Sequence, residues 1–428
     1  MTALAPSGTQ PLRSVEEHQA TVLAAVRLVP AERRQLDEAR GLTLREPVVA
    51  ALDIPLFDNS AMDGFAVRYA DVATASPTNP ANLRVTADVP AGSAADPDLH
   101  PGQAARIMTG APLPTQADTV VPWEDTVDGL AGSLEAASVV RPPRGVGAHV
   151  RRRGEDVRVG QTLLASGTAL GAFASAAAAS AGVTSVVVSR RPRVAVVSTG
   201  DELVPAGRAL RRGQIPDSNG ILMAGMVAEA ACEMVARVSV DDEGARLRAV
   251  LDEVADDVDA VVFTGGVSAG AYEVVRAQLA TAMTFTKVAM QPGKPQGFGV
   301  LSRGDGPEGP LLFGLPGNPV SAAVSFELFV RPALLRMQGR SEVFRPSLTL
   351  PAASGWKTPP GRRQYLPAVV TRHDDGTWTV GPASAGGSGS HLSGGLGRAH
   401  AWAVIPAEVD EVTAGDPIDV MLLEGWPA

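Results

Sequence analysis

The spacing of apolar positions changes period several times along this chain, and each change marks a different kind of element. Val15, Val22, Val26 and Val29 recur along one helical face, and Ser14 followed by Glu17 has the form of a capping box, so a helix is predicted there. A second short helix is expected over 31–40, ending at Gly41 as a left-handed cap. From there to about Gly145 the runs are short and β-like, among them LRVTADV, ARIMTG, DTVVPWEDTV and ASVVRPP. Pro, Gly, Asn and Asp break them, which predicts a small β domain. Helical character returns in the Ala-rich stretch 170–181, before Gly182. Helical sequence thus flanks the β segment, and the β domain reads as an insertion into a helical one.

After Arg193 the text alternates between two periods. VAVVS, MVARVSV and AVVFTGG read as strands, separated by helices in SNGILMAGMVAEAAC, EGARLRAVLDEVA and AYEVVRAQLATA. Strands near TFTKVAM and PLLFGLPG follow, then a helix from Pro319 to about Met337. Apolar strands separated by helices predict a parallel sheet covered on both faces, with ligands bound beyond the strands' C-terminal ends. From about Ser341 the pattern is β again (LTLPA, QYLPAVVTR, TWTVGPA, HAWAVIPA, PIDVMLL) and predicts a small barrel or sandwich. The Gly/Ser-rich stretch ASAGGSGSHLSGGLG lies inside that pattern, which favours a ligand-contacting loop over a linker. The expected organisation is multidomain α/β plus β. A helical domain (11–50 and 146–190) carries an inserted β domain (51–145), followed by a three-layer α/β domain (191–340) and a C-terminal β domain (341–428).

Composition narrows the function. At 428 residues, 45% of them apolar and 19% charged, the chain can bury several cores. Its net charge of −9 argues against binding nucleic acid or an anionic membrane. No apolar run approaches the roughly 20 residues that cross a bilayer. The N-terminal MTALAPSGTQPLRS lacks the basic and apolar regions of a signal peptide, so the expected compartment is the cytoplasm. Cys232 is the only cysteine, which excludes a disulfide framework and a thiolate metal cluster. Of 37 Lys and Arg residues only Lys287, Lys294 and Lys357 are lysines, which singles each of them out.

Three loops are expected at one edge of the sheet: STGDEL after the first strand, TGGVSAG after the third and GLPGNPVS before the last helix. Their glycines let backbone N–H groups approach an anion, and their hydroxyls add donors. Each alone also fits an ordinary turn; together they favour a phosphate or polyanion site. The candidate substrate contacts are Ser198, Thr199, Gly200, Asp217, Thr264, Gly265, Gly266, Ser268, Gly317, Asn318 and Ser321. Asp201, Glu202, Asp241, Asp242 and Glu273 gather near the same edge and supply hard oxygen donors that suit Mg²⁺, although Asp217, Ser218 and the pair 241–242 are equally placed to cap helices. Lys294 sits in a turn fixed by Gly and Pro (QPGKP), where an ammonium can hold an oxyanion as a point charge. PLFDNSAMDGFAVR, in the inserted domain, is polar where alternation would place core, although Asp63-Gly64 is also a favoured hairpin pair.

Taken in order, PLFDNSAMDGFAVR, ARIMTGAPLP, DTVVPWE, RRRGEDVRVG, STGDELV, TGGVSAG, QPGKP and GLPGNPVS closely resemble the molybdopterin molybdenumtransferase family, which includes the E domain of gephyrin. The resemblance spans about residues 11–428 and implies an elongated homodimer of four-domain subunits, with 191–340 as the molybdopterin-binding domain. It implies that molybdate is inserted into molybdopterin adenylate with Mg²⁺, releasing AMP, and that a separate adenylyltransferase supplies the substrate and molybdoenzymes receive the product. It carries catalytic roles onto Asp63, Thr109, Asp156, Glu202, Asp242 and Lys294, and the family pattern also falls on Ser321. Molybdate would lie near Lys294, Pro295, Arg362 and Ser390, and Glu202, Asp242 and Glu273 would hold the metal. Two positions depart from the family pattern. Gln291 stands where relatives often carry a basic residue, and Gly270-Ala271-Tyr272-Glu273 replaces Gly-Asp-Tyr-Asp. Two rival readings remain: a molybdopterin adenylyltransferase, which shares the sheet domain but lacks the flanking β domains, and a non-catalytic scaffold of the gephyrin type.

Overall fold

The computed structural model describes residues 12–127, 129–130, 133–268, 273–302, 309–384 and 393–423. The N-terminal helix Val15–Ala24 begins as its sequence predicts. Ser14 Oγ accepts the Glu17 N–H at 3.0 Å, and the Glu17 carboxylate accepts the Ser14 N–H at 2.8 Å. Two of the orphan donors at the helix start are thereby satisfied.

The expected helix over 31–40 is a strand instead. Ala31–Gln35 pairs antiparallel with Ser185–Ser189 along its whole length. The string AERRQ suits a helix locally, but its neighbour in space offers an unpaired strand, and that ladder decides its conformation. The region 11–50 with 146–190 is therefore mixed. The helix Ala172–Ser180 packs beside small strand pairs, while Val15–Ala24 leaves the region altogether. Val22 enters the core of the α/β domain, and Val15 packs with Val288, Phe329, Tyr365 and Trp402, joining that domain to the C-terminal one.

The inserted domain is a five-stranded sheet in the order Thr119–Pro122, Gly64–Val67, Gln103–Ile107, Ala81–Val89, Ala136–Val139. Phe65 and Val67 face one apolar cluster and Ala66 another, so both faces are covered.

The α/β domain is built on a six-stranded sheet: β1 (Arg193–Thr199), β2 (Glu233–Val240), β3 (Ala260–Thr264), β4 (Met283–Lys287), β5 (Pro295–Val300) and β6 (Leu311–Leu315), in the order β2-β1-β3-β6-β5-β4. Val194 and Val196 of β1 point into a core shared with Met223, Val227 and Phe326. Ala195 and Val197 point to the opposite core with Leu247, Val250 and Leu251. A strand with period two buried on both faces has to be apolar throughout, which is why VAVVS reads as an unbroken run. The sheet departs from expectation in one respect. β1, β2, β3 and β6 are parallel, but β5 runs antiparallel to β6, and β4 antiparallel to β5.

The C-terminal strands form one sheet from Ser347–Pro351, Arg363–Arg372, Trp378–Pro382, Ala401–Ile405 and Pro417–Leu422. A bridge between Ala352 and Val380, with Ala353 N–H donating to Val380 O at 2.7 Å, joins its ends into a small barrel around Leu366, Val370, Ala403 and Val420. No helix among the described residues is long and apolar enough to cross a membrane.

Candidate active site

Parallel strands deliver all their C-terminal ends to one edge of a sheet, and here that edge gathers the loops after β1, β2, β3 and β6. Because β5 runs the other way, its start, with Lys294 and Pro295, reaches the same edge. The five segments enclose a cleft of about 540 Å³. Thr199, Gly200, Glu202, Asp217, Asp242, Thr264, Gly265, Gly266, Ser268, Glu273, Lys294, Pro295, Gly317, Asn318 and Ser321 all line it. Ser198, also expected there, lies just beneath, buried at the end of β1.

Backbone proximity explains the glycines. Gly265 has φ +92°, and a Cβ there would stand 2.8 Å from the Thr199 carbonyl oxygen. A Cβ on Gly200 would meet the Glu202 carboxylate at 2.3 Å. Among the described residues, two polar atoms in the walls have no hydrogen-bond partner, Thr199 Oγ1 and Asn219 Oδ1. Buried polar atoms are nearly always satisfied, so a pair left open beside a cleft is suited to a polar ligand. Asn219 is a site residue that the sequence reading passes over. Its signal was the run Asp217-Ser218-Asn219-Gly220 between strand and helix, and its amide Nδ2 donates to Gly317 O at 2.6 Å, tying two cleft loops together.

Asp217 has largely a bracing role. Its carboxylate accepts from Ser198 Oγ at 3.1 Å, Ser239 Oγ at 2.9 Å and the Gly220 N–H at 2.9 Å. It therefore caps the following helix and fastens the ends of β1 and β2.

The charges of the other carboxylates act on one another. Burial raises the Asp242 carboxyl above its ordinary value, and the negative charges of Asp201, Glu202 and Glu273 push the same way, against a backbone hydrogen bond at Asp201. Glu273 accepts the Ser268 N–H at 2.8 Å, which anchors it to the Gly-rich loop. Among the described residues no group of three or more His, Cys, Asp or Glu is arranged to hold a metal unaided. An all-oxygen set of separated carboxylates fits Mg²⁺, which keeps several waters and takes oxygens from substrate phosphates. Ala271, where a family carboxylate is missing, lies outside the described residues.

The cations stand at the other end. Following the strand order, the acidic loops belong to β2, β1 and β3, whereas Lys294 belongs to β5, beyond β6. Arg362 does not itself line the cleft, but its Nη1 donates to Oε1 of Gln291, a lining residue, at 2.8 Å. Ser390 lies outside the described residues.

Comparison with known proteins agrees with this arrangement. Three family models match: the MoeA N-terminal region (domain I and II) over residues 13–182, a probable molybdopterin binding domain over 195–336, and the MoeA C-terminal region (domain IV) over 349–423. Molybdopterin molybdenumtransferase 2 of Mycobacterium tuberculosis is 42% identical over 417 residues, covering 96% of this chain and 99% of the relative. Molybdopterin molybdenumtransferase 1 of the same organism is 36% identical over 434 residues, covering 96% and 99%. The chain belongs to the MoeA family. A solved molybdopterin biosynthesis MoeA protein from Pyrococcus horikoshii OT3 superposes with a TM-score of 0.81 at 26% identity, covering 96% of this chain and all of the other.

This MoeA-family chain also carries a second polar cluster, in the inserted domain and its base. Asp63 binds Thr109, and the Asp58 carboxylate accepts from Arg152 Nη1 at 2.6 Å and from the Arg153 N–H at 2.8 Å. Strand pairing sets Asn59 opposite Arg151, and Asp156 N–H donates to Ile54 O at 3.0 Å. Three motifs far apart in sequence, around 58–63, 108–112 and 150–156, are thus knitted into one surface. None of Asp63, Thr109 and Asp156 lines the cleft of its own chain.

Proposed function

We propose that this protein is a molybdopterin molybdenumtransferase, which inserts molybdate into adenylylated molybdopterin and releases AMP. The observation that carries the reading is the cleft itself: Gly-rich loops, carboxylates and Lys294 share one sheet edge, in a chain that matches a relative of that activity almost end to end.

The loop N–H of Gly266, with Thr199 Oγ1, suits the phosphates of the substrate, while the Gly265 N–H donates to Leu315 O at 3.0 Å and holds the loop to the sheet. Lys294, beside Pro295, would hold the molybdate oxyanion together with Arg362 and Ser390. Glu202, Asp242 and Glu273 would hold Mg²⁺, whose chemistry is to polarise phosphoryl oxygens as the phosphoanhydride is cleaved. The carboxylates otherwise repel one another and the substrate, so charge balance favours a cation between them.

The reading includes a homodimer in which Asp63, Thr109 and Asp156 of one subunit complete the cleft of the other. Their clustering away from their own cleft supports this. It also includes a cytoplasmic location, a separate adenylyltransferase as supplier and molybdoenzymes as recipients. The test is to incubate the purified chain with molybdopterin adenylate, Mg²⁺ and molybdate. AMP release that depends on molybdate is expected. Formation of adenylate from molybdopterin and ATP by this chain, without molybdate-dependent AMP release, would overturn the reading in favour of an adenylyltransferase.

A further inference from the structure

We infer that Gln291 is a positioning residue, which draws the Arg362 guanidinium from the C-terminal barrel to the basic end of the cleft. The inference rests on the proposed molybdate site and adds to it a residue that bears no charge.

The contact is built by backbone geometry. Met290 and Gln291 pair in parallel with Arg363 and Gln364, and Arg363 N–H donates to Ala289 O at 3.2 Å. That ladder fixes the turn before Lys294 against the first long strand of the barrel. Arg362, one residue before the ladder, is held beside the Gln291 side chain, where Nη1 and Oε1 meet at 2.8 Å. Gln291 lines the cleft and Lys294 is three residues further along the same wall.

The chemistry of the pair decides its use. A guanidinium has five N–H donors in a rigid plane, and one bond to an amide oxygen orients that plane without neutralising its charge. Among the described residues no carboxylate forms an ion pair with Arg362 or Lys294. At the end of the cleft away from Asp201, Glu202 and Asp242, Lys294 thus lines the wall as a point charge and Arg362 stands behind Gln291 as an orientable one, neither paired with a carboxylate among the described residues. A carboxylate at 291 would hold Arg362 as firmly but would cancel its charge. A side chain without an acceptor would keep the charge and lose the orientation. Glutamine does neither.

The experiment measures molybdate affinity calorimetrically on the full-length protein, and the half-saturating molybdate concentration for AMP release. Gln291→Met keeps the volume and removes the acceptor. It is expected to weaken molybdate binding about threefold to tenfold, the range for the net contribution of one ordinary hydrogen bond, since the bond acts on molybdate only through the orientation of Arg362. Saturating molybdate should restore most of the turnover. Gln291→Glu should weaken binding further, although it preserves the hydrogen bond. In an Arg362→Gln background, itself weakened, Gln291→Met should have no added effect. Wild-type affinity in Gln291→Met, or a full additive loss in the double variant, would overturn the inference. An Arg362→Gln protein with unchanged affinity would overturn it as well, together with the assignment of Arg362. Failure of the wild-type protein to release AMP while it still binds molybdate would instead reject the proposed reaction and leave the positioning role standing.

Discussion

Asp63 Oδ1 accepts two hydrogen bonds from Thr109, from its backbone N–H and from its Oγ1, each at 2.7 Å. These bonds hold the Asp63 carboxyl below its ordinary range, the backbone bond contributing most. Asp63 is thus a fixed, ionised carboxylate on a domain that does not reach its own cleft. If it acts, it acts in trans. At a molybdate concentration too low to support either variant alone, mixing an Asp63→Ala subunit with a Lys294→Ala subunit should return about half of wild-type activity per mixed dimer, because a two-fold axis leaves one composite site intact and one doubly damaged. Absence of recovery despite demonstrated subunit exchange would refute the shared site.

Lys294→Ala should raise the molybdate concentration needed for half-maximal AMP release and leave thermal unfolding unchanged. Arginine should replace it only in part, since a planar fork differs from a compact ammonium. A titration of activity against molybdate decides the matter.

Glu202→Gln and Asp242→Asn nearly preserve shape while removing charge. Both should increase the Mg²⁺ concentration required for AMP release, with the adenylate still bound through the Gly-rich loops. Normal turnover of both variants at limiting Mg²⁺ would place the metal elsewhere.

His18 gives a prediction about stability. It is 2% exposed on the N-terminal helix, packed edge-on against the Phe329 and Phe298 rings, and its Nδ1 has no hydrogen-bond partner among the described residues. Burial, with a smaller contribution from Arg13, lowers its pKa to about 4. Above the unfolded value of about 6.5 both states are neutral and the contribution is fully present. As pH falls through that value the unfolded chain binds the proton first, so stability declines down to pH 4 by about 3 kcal/mol. In His18→Asn, denaturant unfolding at pH 7.5 and 4.5 should differ less than in the wild type. An equal difference would mean that the titration of His18 does not govern acid sensitivity.

What the sequence determines by itself is local or strictly periodic. The Ser14–Glu17 capping box needs only three residues of separation, and a strand buried on both faces, such as β1, must be written in apolar residues. The Gly-rich loops could be placed at one edge because parallel strands share their direction, and the order of motifs already pointed to the family. Tertiary structure decided the rest. AERRQ becomes a strand because Ser185–Ser189, about 150 residues away in the chain, presents it with a ladder. Lys294 reaches the cleft because β5 turns antiparallel, and no periodicity in QPGKPQGFG records the direction of a strand. Asn219 carries no charge to draw notice, and Gln291 stands out in the sequence only as a missing charge; their neighbours, Gly317 and Arg362, reveal their use. Period and capping act within a few residues, whereas strand direction and side-chain partnership are set by distant segments competing for the same surface.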